Sequence, residues 1–473
     1  MKALQKLFDR IVMKVNINLR ELGYDVGPAA RDLIPLQQLV KFYAFYGLTP
    51  HHPLDLTFRH SSLAGSYFLG KCDVTNSILY KSDIRGDELK HKGEIYRYGS
   101  YEIPISRDEG IEIEDSLLVK TLVHCFSHDP ESLENFSVQS TVATPYANIH
   151  GSPTNGSFLE PFATVDLTTT NDCLIGAFAY IQTGEIGHLN IAPGTVWVRS
   201  PGDFNFLYRF PLSPLKDYIH YRPGQSPRGL IVDFIEARKP DFQRIFNVID
   251  VAPPVSLPSN ASLDRYAVVK PKTHIGDNVL VAQRAYLENA WMGKGANAQE
   301  NSVIINSRLE GFNVTAHGAK IVEADLGERV FVGFNSFLRG RPDNRLSIGK
   351  ECIIMPHTII DANEALTIPA GSLVWGLVRN ATELAQNSLS LREMSKLATR
   401  FTRGNLFFEG NGAAFVTGFR DRIDHILESN GAFYDGKNHR GHAQKNQNIA
   451  FNTIQPYLEG ELKGLYPSIF IKP

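Results

Sequence analysis

The sequence is poor in cysteine, in excess charge of either sign and in long apolar runs. Its four cysteines stand far apart without a C-x-x-C pair, which excludes a disulfide framework and a zinc ribbon and indicates a reducing compartment. Lys and Arg (48) nearly cancel Asp and Glu (50), so we expect no nucleic-acid partner. There is no apolar run of about 18 residues and no signal-peptide core, so we expect a cytoplasmic protein that does not enter a membrane.

Aliphatic residues that recur six apart are the most informative pattern that is present. They lie at Ile275, Val281 and Leu287, at Leu326, Val332 and Leu338, and at Ile348, Ile354, Ile360 and Leu366. A small or β-branched residue follows many of them four places later. A period of six keeps these residues on the inside of a coil of short strands, which a helical period of 3.6 would not do. An ordinary α/β sheet would need helices of about 10–15 residues between the strands, and there is no room for them.

This pattern resembles that of the hexapeptide-repeat superfamily. The resemblance implies a mainly β fold, a left-handed parallel β-helix in two sections, with α-helical N- and C-terminal caps and a helical insertion. We expect a helical N-terminal cap over 1–55, β-helix section 1 with loop insertions over 56–204, a helical insertion or linker over 205–262, β-helix section 2 over 263–378 and a helical C-terminal region over 379–473. The loops of section 1 are expected around 86–110 and 125–158.

The regions outside the repeats are predicted to be helical and to cover the open ends of the coil, because exposed strand edges invite pairing. Residues 1–46 predict two amphipathic helices. The first has an apolar stripe formed by Leu4, Leu7, Phe8, Ile11, Val12 and Val15. Further helices are expected at about 381–402, 417–429 and 449–463.

His317 is the leading candidate for chemistry. The run from Val314 to Val322, with Ala316 before His317, resembles the histidine coil of hexapeptide-repeat acyltransferases. The resemblance implies that His317 is a general base on an acceptor amine or hydroxyl, a task that suits an imidazole near neutral pH. Asn313 and Gly318 are predicted to bind substrate, with Gly318 allowing close backbone approach to an oxyanion. A histidine on a surface turn without a catalytic role is the alternative.

Two further groups are predicted to contribute to substrate binding. His357 lies about two coils after His317 and could line the same groove. Four residues of a polar, Gly-rich segment in section 1 could bind a polar acceptor: Asn148, His150, Ser152 and Asn155. Functional residues are frequent on such loops. A solvated turn and a solvated loop are the alternatives.

A weaker resemblance points to a metalloenzyme. The triplet Arg85-Gly86-Asp87 is similar to one in the γ-class carbonic anhydrases, which implies zinc as a cofactor. The H-x4-H pair of that family is absent. A metal site therefore requires that His124, His128, His150 or His188 converge in three dimensions.

The predicted function is acyl transfer from a thioester of coenzyme A or an acyl carrier protein to an amine or hydroxyl of a sugar-like acceptor. The resemblance also implies a homotrimer, and no tightly bound cofactor is expected. Two alternatives stay open: a γ-carbonic-anhydrase-like metalloenzyme, and a non-catalytic β-helix scaffold or binding protein.

Overall fold

A computed structural model describes residues 1–31, 33–98, 101–127, 129–245, 253, 255–447 and 449–473 of the chain. The chain forms two compact units. The first comprises Met1–Thr195, Ile219–Arg228 and Ile449–Pro473, and the second comprises Val196–Tyr218 and Gly229–Asn448. In each unit, short strands follow one another around three faces of a coil. Among the described residues, no helix has both the length and the apolar character needed to cross a bilayer.

The first unit contains three faces of parallel strands, and residues of successive coils pair in register. The first face comprises Ala44–Leu48, Tyr67–Leu69, Asp83–Arg85, Leu122–His124, Asn148–His150, Thr164–Asp166 and Tyr180–Gln182. The second comprises Ile78–Tyr80, Leu117–Val119, Val142–Ala143, Phe158–Leu159, Leu174–Ile175 and Asn190–Ile191. The third comprises Leu56–Arg59, Cys72–Thr75, Ile111–Glu114, Phe136–Gln139, Thr154–Asn155, Thr168–Asn171 and Gly184–Gly187.

The two ends of the chain pack on different parts of the coil. Helix Lys2–Asn18 buries all six residues of its predicted apolar stripe in one core cluster with residues of five strands of the second face, from Ile78 to Leu174. The C-terminal strands cover the edge of the first coil. Strand Ala450–Ile454 pairs antiparallel with Ala44–Leu48, and Ile469–Ile471 pairs antiparallel with Leu56–Arg59. These strands satisfy backbone groups that an open coil would expose. The other helical segments here are short: the α-helix Gly27–Arg31 and the 3-10 turns Leu19–Leu22 and Leu36–Gln38.

The second unit repeats the three-faced coil. One face comprises Ser262–Leu263, Leu280–Val281, Asn297–Ala298, Val314–Thr315, Phe331–Val332, Ile353–Ile354 and Ser372–Val374. The next comprises Val268–Val269, Tyr286–Glu288, Val303–Ile305, Lys320–Val322, Phe337–Arg339, Ile359–Asp361 and Leu377–Val378. The third comprises His274–Ile275, Trp291–Met292, Arg308–Leu309, Ala324–Leu326, Leu346–Ile348 and Leu366–Ile368. The inward aliphatic residues form one continuous core.

Coil length departs slightly from the predicted period of six. Val281 pairs with Ala298, and Leu287 pairs with Ile304, so this coil is one residue shorter than three hexapeptides. The core residues Val281 and Leu287 are six apart, but the next, Met292, follows after five. The corners use left-handed backbone, as at Asn289 (φ 46°), and Asn tolerates this conformation well. One shortened corner per coil therefore explains why a strict six-residue pattern does not persist.

Helices and antiparallel strands complete the second unit. The helices are Leu212–Tyr218, Leu230–Glu236, Lys239–Ile245, Ala381–Gln386, Leu391–Met394, Gly412–Ser429 and His442–Lys445. The remaining strands are Thr195–Ser200, whose first residue belongs to the first unit, and Phe204–Arg209, Ser388–Ser390, Phe401–Arg403 and Leu406–Gly410. Ser388–Ser390 pairs antiparallel with the last coil strand of its face and closes that edge. Asn411 is the N-cap of helix Gly412–Ser429, and its side chain accepts hydrogen bonds from the amides of Ala413 and Ala414.

Four local predictions differ from the structure. The segment 136–159 belongs to the coil, with five short strands, where a loop was expected. By contrast, the insertion predicted around 86–110 does leave the coil, and it contains the hairpin of strands Ile95–Tyr98 and Tyr101–Pro104. The helix predicted at 449–463 is instead strand Ala450–Ile454, and the one predicted at 381–402 is two short helices around a strand. The second predicted N-terminal helix shrinks to Gly27–Arg31, where Pro28 is tolerated only in a first turn.

Candidate functional site

His317 lies at a corner of the second unit, between strands Val314–Thr315 and Lys320–Val322. Thr315 occupies the inward position of its strand, aligned with the core residue Val332 of the next coil. His317, two places later, is turned away from that core but is only 2% exposed. It is therefore a buried histidine rather than a solvated one on a surface turn.

Glu300 holds the imidazole. It occupies the same corner one coil earlier, where its carbonyl oxygen accepts a hydrogen bond from the amide of Gly318 at 2.8 Å. Its carboxylate Oε2 lies 2.8 Å from His317 Nδ1, and both side chains are nearly inaccessible to solvent. With a carboxylate against Nδ1, Nε2 is the nitrogen left for proton exchange.

The following coil closes the other side of His317. The Phe334 ring lies 5.2 Å from the imidazole, centroid to centroid, and the amide of Asn335 donates to the carbonyl of His317 at 3.0 Å. His357 lies one coil further, with a left-handed backbone (φ 59°), no exposed surface and its amide donating to the carbonyl of Phe334. His357 therefore lies at the same corner of the coil as His317, two coils later, and occupies the position that Gly318 has in its own coil.

Gly318 and Asn313 have structural tasks. The amide of Gly318 donates to the carbonyl of Glu300 and so joins two successive coils. Gly318 has φ +71°, and a Cβ there would lie 2.3 Å from Asn335 Oδ1. Asn313 accepts from the amide of Gly311 and donates to the carbonyl of Gly327. Its side chain therefore joins a turn to the next coil.

Lys320 was missed by sequence reasoning. It lies on the strand that follows His317, paired with Val303 and Phe337, and is 2% exposed. Its ammonium donates to the carbonyl of Gly318. Burial lowers the pKa of Lys320 to about 7, because a charged amine loses its hydration there. The amine therefore changes charge close to neutral pH, and it lies just after the candidate base in the sequence.

In the first unit, the structure brings together two of the four predicted metal ligands. His124 and His150 are partners on adjacent parallel strands, and ring nitrogens of the two approach within 4.8 Å. His188 is a separate, largely exposed residue between Glu21 and Asp172. His128 lies outside the described residues.

The segment 148–155 is part of the coil rather than a loop. Asn148 donates to the Thr164 hydroxyl on the next strand. Ser152 donates to the carbonyl of His150 and accepts from the amide of Thr168, so it links two coils. Asn155 is the exposed member of this group. His150 contacts a carboxylate: its Nδ1 lies 2.8 Å from the buried side chain of Asp166.

Comparison with known proteins places the chain in a family. The family model for the hexapeptide repeat including loop matches residues 101–223. The crystal structure of a "putative acetyltransferase" from Desulfovibrio desulfuricans G20 is 51% identical in sequence, covers 100% of this chain and 99% of that one, and superposes with a TM-score of 0.93. No curated protein matches the chain.

A second solved structure is a variant of GDP-perosamine N-acetyl transferase from Caulobacter crescentus, in complex with CoA and GDP-perosamine. It is 18% identical, covers 23% of this chain and 50% of that one, and has a TM-score of 0.14, too low to support an argument. The full-length relative suffices: the chain belongs to the hexapeptide-repeat superfamily, as a parallel β-helix enzyme of its acyltransferase class. The predicted fold class and superfamily are confirmed.

Proposed function

We propose that this acyltransferase transfers an acyl group from a thioester of coenzyme A or an acyl carrier protein to an amine or hydroxyl of a sugar-like acceptor, with His317 as general base. One observation carries the assignment of the base: His317 is buried and has a carboxylate, Glu300, 2.8 Å from Nδ1. A base that is oriented by a third group is a recurring arrangement in acyl transfer.

In the proposed reaction, His317 Nε2 takes the proton from the acceptor nitrogen or oxygen as that atom attacks the thioester carbonyl carbon. The new C–N or C–O bond forms, and the carbonyl oxygen carries the negative charge of the tetrahedral intermediate. The C–S bond then breaks, and the imidazolium returns its proton to the departing sulfur. Glu300 favours the cationic imidazole between these two transfers, because its negative charge lies against the ring.

The finer parts of the proposal come from the class of the enzyme and from the His317 coil. They are the sugar-like acceptor, the two possible carriers of the thioester and the homotrimeric assembly. The homotrimer and the cytoplasmic location stay predictions. Light scattering on the purified chain tests the assembly, with a mass of about three chains of 52.7 kDa expected.

The central experiment measures thiol release from acetyl-CoA, and separately from an acetylated carrier protein, against a panel of amino and neutral sugars. We expect His317→Ala to lower kcat/KM by about 10²- to 10⁴-fold with the best pair, as for loss of a general base. His274→Ala is the matched control, because His274 is an exposed histidine of the same unit that stacks on Trp291. Full activity in His317→Ala would contradict the assignment of His317 as general base. If neither donor released a thiol, the proposal that the acyl donor is a thioester would be wrong.

A further inference from the structure

We propose that the first unit holds a divalent transition-metal ion, of which zinc is the type, between His124 and His150. The residues that carry this proposal belong to the first unit. His124 ends strand Leu122–His124 and His150 ends strand Asn148–His150. The two strands are parallel neighbours, and their register pairs the two histidines directly.

The two imidazoles meet in a nearly dry environment. Their ring centroids are 5.2 Å apart, the ring planes cross at 79°, and a ring nitrogen of each lies within 4.8 Å of the other. His124 is 8% exposed and His150 is 6% exposed. The Phe126 ring contacts both, at 5.7 Å and 5.5 Å between centroids. Two imidazoles that share an apolar wall can both bind one cation through small side-chain rotations.

His150 carries the outer-shell partner that histidine ligands usually have. Its Nδ1 lies 2.8 Å from Asp166 Oδ1, on the next strand of the same face, and Asp166 is fully buried. The Tyr180 hydroxyl donates to the second oxygen of Asp166 and fixes that carboxylate in turn. A carboxylate bound to one ring nitrogen sets the tautomer and makes the other nitrogen a better metal ligand. For His150, that other nitrogen is Nε2.

In this proposal, Asp87 is the third donor. Its Oδ1 lies 3.8 Å from His124 Nε2, and its side chain is only 4% exposed. Arg85 donates to both oxygens of Asp87, through Nε at 3.0 Å and through a terminal guanidinium nitrogen, and holds the carboxylate in place. A carboxylate has about four lone-pair sites, so one that is paired with an arginine can also bind a metal. Two histidines and one carboxylate are a recurrent zinc set with an open position for water.

The ligand types select among metals. Imidazole nitrogen favours zinc and its first-row neighbours, whereas magnesium and calcium prefer sites made of oxygen alone. The buried carboxylate of Asp166 lies against His150, and its negative charge favours a cation at this site.

The test uses the full chain without an affinity tag. The protein is stripped with a chelator, loaded with zinc sulfate, dialysed and analysed for metal by mass spectrometry. We expect about one zinc per chain in the wild type and no more than about a tenth of that in His124→Ala and His150→Ala. Asp166→Asn keeps the ligands but weakens zinc binding by about 10- to 100-fold. His188→Ala, at an exposed histidine of the same unit, keeps full loading.

Cobalt loading adds a second measurement. Cobalt bound by two imidazoles and a carboxylate gives visible d–d absorption, which His150→Ala abolishes and His188→Ala retains. Wild-type protein that takes up no zinc and no cobalt would overturn the proposal even if the variants fail to fold. Loading of folded His150→Ala equal to that of the wild type would overturn it as well. Metal content is read without any acyl donor, so failure here is distinguishable from failure of the acyl-transfer proposal.

Discussion

The carboxylate of Glu300 lies 2.8 Å from Nδ1 of His317, although the two residues are a full coil apart in the sequence. Val303 and Lys320, which pair on neighbouring strands, have the same separation. The contact therefore follows from the pitch of the coil, which stacks equivalent corners directly above one another. A base and its orienting group can be built in this fold from two single residues one coil apart.

The first prediction is that Glu300 acts through His317. Glu300→Gln keeps the size of the side chain but removes its charge, so we expect kcat/KM for acyl transfer to fall by about tenfold or more. In a His317→Ala background the same change should have almost no further effect, because residues that act as a unit are not additive. The double-mutant cycle is measured by thiol release. Equal losses in both backgrounds would mean that Glu300 acts independently of His317.

Much of the fold could be predicted from the sequence, because each coil repeats the same local requirement. Inward positions such as Val281 and Leu287 must be aliphatic, and a corner must tolerate left-handed backbone. Pairings between distant parts of the chain could not be predicted in this way. Strand Ala450–Ile454 falls in a segment whose sequence predicts a helix. The strand could not be predicted, because its partner, Ala44–Leu48, lies near the other end of the chain and the pairing leaves no local sequence pattern.

Some residues of the candidate site could also be predicted from local sequence patterns, and others could not. His317 could be found because its coil has a motif. Glu300 carried a usable signal, since it lies one coil length before His317, but a strict period of six predicts a coil that is one residue too long. Asp166 likewise lies one coil after His150. The burial of Lys320 had no such signal, because it depends on how its surroundings pack.

The second prediction concerns Gly318. Alanine at this position meets two costs: a left-handed backbone at φ +71° and a Cβ only 2.3 Å from Asn335 Oδ1. Gly371 is the matched control in the same unit, since it has φ +66° but no atom within 4 Å of the point that a Cβ would occupy. We expect Gly371→Ala to lower the free energy of unfolding by about 1–2 kcal/mol and Gly318→Ala by at least about 1 kcal/mol more. Urea unfolding measures both; equal losses would mean that Asn335 yields without cost.

The third prediction concerns pH and Lys320. Burial lowers the pKa of Lys320 to about 7 in the folded chain, while the unfolded chain has the ordinary value of about 10.4. Between these values the unfolded state binds more protons than the folded state. Stability therefore rises with pH across this window, by on the order of 1 kcal/mol per pH unit from this group.

Lys320→Met replaces the amine with an apolar side chain of similar length and removes this dependence. The stability of the wild type relative to Lys320→Met should therefore increase between pH 7 and pH 9, as measured by urea unfolding at each pH. Lys350→Met, at an exposed lysine of the same unit, is the control and should show no such change. A wild-type advantage that is constant with pH would mean that Lys320 keeps its proton in the folded state, in which case its charge is balanced by a neighbouring group rather than lost to burial.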